Sequence, residues 1–175
     1  MNTKKLTNMA LLLALALVIS VVELQIPMPV PIPGAKLGLS NIIILVSLYF
    51  YGFKASLTIS LLKSFMLVLI TGAVSAFFYS AAGAILASIA MVLALKFHDK
   101  LFSFIGVSEI GAFAHNLGQI IVSVVVMENI KMFYYLPLLV FVGTLTGFFV
   151  GLSSNFVIKH MKKLDIGEKL KWNKL

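Results

Sequence analysis

The feature that most limits what this chain can fold into is a succession of long apolar runs, repeated from Leu6 to Ile158 and parted only by short joints. A bilayer's hydrocarbon core is about 30 Å thick and takes about 20 apolar residues per helix. Backbone polar groups cannot be left unpaired there, so long apolar runs form helices. Six such runs are legible, at about 6–22, 37–51, 55–70, 74–97, 107–127 and 134–158. They predict an all-α integral membrane protein of six transmembrane helices in one domain, residues 1–175, ending in a basic tail at 159–175. Composition agrees: 61% of residues are hydrophobic and 11% charged, against about 45–50% and about 25% in soluble domains.

The joints are as informative as the runs. The first run ends at Glu23 and Gln25, and Pro27, Pro29, Pro31 and Pro33 then impose an extended connection closed by Gly34. Gly52 with Lys54 marks a tight turn, Thr71 and Gly72 a second, and His98, Asp99 and Lys100 a polar joint. Glu128, Asn129 and Lys131 precede the last run. Lys4 and Lys5 before an apolar stretch resemble a signal peptide, but no small-residue cleavage site follows, so the first helix is expected to be retained.

The net charge of +8 arises from fourteen lysines, no arginine and six acids. With the amino terminus inside, Lys4, Lys5, Lys54, Lys96, Lys100, Lys159, Lys162, Lys163, Lys169, Lys171 and Lys174 face the cytoplasm. Lys36 and Lys131 then lie outside. That asymmetry predicts both termini in the cytoplasm of a multi-pass plasma-membrane protein. A solvated inner face, touching anionic lipid, accounts for the basic residues without nucleic acid. The absence of cysteine excludes disulfides, thiolate metal sites and Cys nucleophiles.

Three constellations stand out against the apolar background. Lys63 falls near the middle of the third run, where a cation costs about 2.5–3.5 kcal/mol and is usually functional or paired. It is expected to organise a ligand site or to serve a structural pairing. In the fifth run Ala112, His115, Asn116, Gln119 and Ser123 share one helical face. Such a row binds a solute or joins helices by hydrogen bonds. His115 has no second His or carboxylate at i+3 or i+4, which argues against a metal site. At the mouth of the second run, Lys36 and Asn41 follow the proline stretch, which is either a cover over an outer pocket or a rigid connector.

Small residues form two further stripes: Ala10 with Ala14 in the first run, and Gly143, Gly147 and Gly151 in the last. They serve packing within the bundle or a docking face for a partner helix. No P-loop, nucleophile elbow or zinc-protease motif occurs, and Asp99 and Asp165 cannot build an Asp-rich magnesium site. The chain therefore reads as non-catalytic, with no cofactor of its own.

Taken together, Ala10-x-x-x-Ala14, Pro31-Ile32-Pro33-Gly34, Lys36-Leu37-Gly38-Leu39-Ser40-Asn41, the basic Lys63, Ile105-Gly106-Val107-Ser108, Ala114-His115-Asn116-Leu117-Gly118-Gln119 and Tyr135-Leu136-Pro137-Leu138 carry a family likeness. Over about residues 6–158 the chain resembles a substrate-binding S component of an energy-coupling factor (ECF) transporter. More narrowly it resembles the Gx transporter family, also labelled heptaprenyl diphosphate synthase component I. Lys63 stands where arginine is expected in many relatives, which keeps the charge but not the bidentate geometry.

The resemblance implies a subunit that binds a small, anionic or carbonyl-rich solute under its outer loops. It implies reorientation against a transmembrane coupling subunit powered by two ATPases, with ATP used by those partners and Ala10 and Ala14 as the docking face. Lys36, Asn41, Lys63, His115, Asn116 and Gln119 would line the pocket. The alternative label implies an accessory membrane subunit in prenyl diphosphate or quinone metabolism, and a stand-alone carrier is a third possibility.

Overall fold

A computed structural model describes residues 3–26, 36–97 and 101–164. The proline stretch, the joint at 98–100 and the tail from 165 onward lie outside them. The described residues form five α-helices: α1 (Thr3–Glu23), α2 (Asn41–Thr71), α3 (Val74–Leu95), α4 (Phe104–Met127) and α5 (Leu136–Lys163). A short 3-10 helix, Ile130–Tyr135, leads into α5. All five α-helices are long and apolar enough to cross a bilayer.

The second and third apolar runs are joined in one element, α2, yet that element is not straight. Gly52 has φ 81° and ψ 179°, a conformation open essentially to glycine alone. The Ser56 hydroxyl donates to the carbonyl of Ile44 at 3.0 Å, although twelve residues of straight helix would separate the two by about 18 Å. The chain therefore folds back at Gly52, and α2 is a hairpin of two arms. The break falls where the sequence placed a turn.

Local chemistry sets the other ends. Ser103 caps α4, its hydroxyl accepting from the Gly106 N–H at 3.3 Å, so the helix starts ahead of the expected Val107. Gly72, at φ 71°, closes α2 with its N–H on the Val68 carbonyl at 2.7 Å. Pro137 sits in the first turn of α5, where its missing N–H costs nothing. That helix runs past the expected Ile158 to Lys163, and His160, Lys162 and Lys163 in its last turn complement the helix dipole.

The outer surface of the bundle is apolar, unlike that of a soluble protein. Large apolar side chains such as Leu15, Phe65, Leu69, Phe78, Leu93, Phe141 and Phe156 point outward. Serines, glycines and alanines fill much of the interior, as suits a multi-pass membrane protein in lipid. α4 packs most extensively, against α3 and α5, while α1 rests mainly on α2. Gly118 lets α3 and α4 touch, since a Cβ there would lie 2.8 Å from the Ala82 carbonyl oxygen.

Two apolar clusters result. The larger gathers residues 43–50 of α2, the far half of α3, the start of α4 and Ile158. The smaller gathers Tyr79, Ile120 and Leu139. Between them, along α3 and α4, lies a band of buried polar side chains.

Candidate solute-binding site

The band is organised around the segment that enters α2. The first arm of α2, from Asn41 to the turn at Gly52, is only about 16 Å long at 1.5 Å per residue. Asn41 therefore lies at about half the depth of the bundle rather than at its end. Gly38, at φ 85°, makes the bend. A side chain there would be strained, and its Cβ would meet the Asn41 amide nitrogen at 2.9 Å.

A side chain from each of four helices holds this segment. Glu23, the last residue of α1, accepts the Gly38 N–H on Oε1 at 2.5 Å. Lys63, on the second arm of α2, donates from Nζ to the Ser40 hydroxyl at 2.9 Å. Gln119 on α4 donates from Nε2 to the Lys36 carbonyl at 3.3 Å. Thr146 on α5 donates to the Leu37 carbonyl at 3.2 Å. These contacts join residues up to 109 positions apart in the chain.

Gln119 also binds His115, Nε2 to Nε2 at 2.9 Å. With the amide nitrogen committed to the Lys36 carbonyl, the oxygen cannot take its place without setting two acceptors face to face. The amide therefore donates in both bonds, and His115 accepts on Nε2 and carries its proton on Nδ1. The ring rests on Gly83, where a Cβ would lie 2.8 Å from Nδ1. Glycine at that position makes room for the histidine.

The charges form a triad of two lysines and one carboxylate. Glu23, Lys36 and Lys63 are 3%, 7% and 2% exposed and act electrostatically on one another. Burial holds the Lys36 ammonium below its ordinary pKa of 10.5, with Glu23 opposing the shift. Among the described residues, several polar atoms here have no hydrogen-bond partner: Glu23 Oε2, Asn41 Oδ1, Tyr79 OH, His115 Nδ1 and Gln119 Oε1. Buried polar groups are nearly always hydrogen-bonded, so this concentration marks a place suited to bind something polar.

Of the residues singled out in the sequence, Lys36, Asn41, Lys63, His115 and Gln119 come together. Asn116 turns away from them: its Nδ2 donates to the Leu139 carbonyl at 2.7 Å and packs over Gly143, so in this structure it ties α4 to α5. Ala10 and Ala14 lie on the exposed side of α1, away from the site. Glu23 was missed as a site residue. A carboxylate closing an apolar run reads as the end of a helix, and only the folded chain sets it on Gly38. Tyr79, which is fully buried, gave no signal, because an aromatic in an apolar run is ordinary.

A family model described as heptaprenyl diphosphate synthase component I matches residues 12–157. That covers most of the chain, which belongs to this family. No curated protein and no solved structure matches it.

Proposed function

We propose that this member of the family is the solute-capturing membrane subunit of an ATP-driven importer of the ECF type, itself non-catalytic. The observation that carries the reading is the buried polar band at half depth, where a charged triad and unpartnered polar atoms meet. Interhelical hydrogen bonds alone do not account for it, because structural polar groups are placed so that they satisfy one another. Ionisable residues inside a membrane usually mark a solute or ion path. In this reading Lys36 and Lys63 attract a small solute. Asn41, His115 and Gln119 orient it, and Glu23 and Thr146 hold the segment that carries Lys36.

The reading includes six crossings, with the two arms of α2 counted separately and both termini in the cytoplasm of the plasma membrane. It also assigns partners: a transmembrane coupling subunit docking on the Ala10 and Ala14 face of α1, and two ATPases that use the ATP. Exposure of that face is compatible with docking. Asn116, placed in the pocket by sequence, would act from the α4–α5 side.

A second reading rests on the family description itself, which names a synthase component. In it the chain is an accessory membrane subunit for prenyl diphosphate metabolism. Affinity purification of the tagged chain from native membranes separates the two. The importer reading expects a membrane coupling subunit and a pair of ATPases. Recovery of a soluble prenyl diphosphate synthase without ATPases would overturn it in favour of the second.

A further inference from the structure

The unpartnered atoms of the site say more about the solute than its lysines do. Two cations by themselves would suit a simple anion. Yet among the described residues the unpartnered carboxylate and amide atoms in the band are oxygens, Glu23 Oε2, Gln119 Oε1 and Asn41 Oδ1, beside the unpartnered ring nitrogen Nδ1 of His115. For Glu23 and Gln119 this assignment is secure from their other bonds. A carboxylate is an acceptor at both oxygens, and the Gln119 amide nitrogen is committed to Lys36 and His115. Both residues grip the same short segment, at Gly38 and at Lys36, so their free oxygens flank it.

A purely anionic solute would satisfy the lysines and set its own lone pairs against these oxygens. A purely cationic one would meet two lysines against a single carboxylate. Neither leaves the buried groups paired, and a buried acceptor left unpaired opposes binding.

Resting on the capture reading above, we infer that the solute is dipolar. It carries an anionic group taken by Lys63 and Lys36 and, elsewhere on the same small molecule, an N–H-donating ammonium or amide taken by Glu23 Oε2 and Gln119 Oε1. Glu23 is then a selectivity residue as well as the clasp on Gly38. Its carboxylate admits donors and turns away molecules that are anionic throughout.

The test uses the full-length detergent-purified protein. The probe is a small-molecule extract of cells that express the chain natively, divided by ion exchange into dipolar, anionic, cationic and neutral fractions. Thermal unfolding is followed with each fraction added. A ligand that binds the folded state raises the melting temperature by mass action, and the rise is expected with the dipolar fraction. In Glu23→Gln the concentration needed for the same rise increases about tenfold or more. A rise confined to the anionic fraction, undiminished in Glu23→Gln, would overturn the dipolar assignment while leaving capture intact. No rise with any fraction would overturn the capture reading and this inference with it. The wild-type comparison decides between these outcomes even if Glu23→Gln does not fold.

Discussion

Lys36, in the segment that enters α2, is open to titration. Burial favours its neutral form, and Glu23 only partly restores the charge. The titratable groups coupled to it or to its partners are Glu23 from α1, Lys63 from α2 and the neutral His115 from α4. Because the folded-state pKa lies below that of the unfolded chain, the folded protein loses its proton first. Stability without ligand then rises with pH between the folded value and 10.5. Retention of an anionic group should fall over the same interval. Ligand retention and melting temperature measured from neutral to alkaline pH should therefore move in opposite directions, and Lys36→Gln should weaken both trends. Lys36, Lys63 and the His115–Gln119 pair were legible because polar residues in hydrocarbon are few and need a reason. The roles of Glu23 and Asn116 were not. One depends on a contact with Gly38, fifteen positions along the chain, and the other on which side of α4 is taken by α5.

Among the elements, α2 decides where the site lies. Its fold-back at Gly52 brings Lys63 to Ser40, residues that a straight helix would hold about 35 Å apart. The turn was legible, since glycine next to a lysine interrupts an otherwise unbroken apolar run. That both arms form one hydrogen-bonded element was not, because the sequence does not show how sharply a glycine will bend. Gly52→Ala forces a side chain into a backbone region essentially reserved for glycine and should destabilise the fold by about 1–3 kcal/mol. A lowered melting temperature, with weaker ligand retention, would register it. An unchanged melt would show that the hairpin does not depend on that conformation.

For the molecule as a whole, the all-helical, membrane-spanning character follows from the apolar runs and was readable at once, whereas several helix boundaries were not. Which way the bundle faces depends on charges at its ends, and the lysine asymmetry supplies the expectation. The chain has no cysteine, so single cysteines can be introduced without background. A cysteine at Lys54 should be reached by a membrane-impermeant thiol reagent only after the cells are opened, and one at Lys131 in intact cells. The reverse pattern would invert the topology and put the polar band nearer the cytoplasmic side. Two apolar clusters bracket that band, an arrangement suited to shielding a polar solute from either end.

The central claim is that the band around Lys63 holds a small molecule. Native mass spectrometry of the gently purified wild-type chain, beside Lys63→Ala, tests it most directly. The account predicts one non-lipid adduct on the wild-type protein and its loss from the folded variant. A wild-type chain without such an adduct when purified from cells that make the solute, or an adduct retained undiminished in Lys63→Ala, would contradict it.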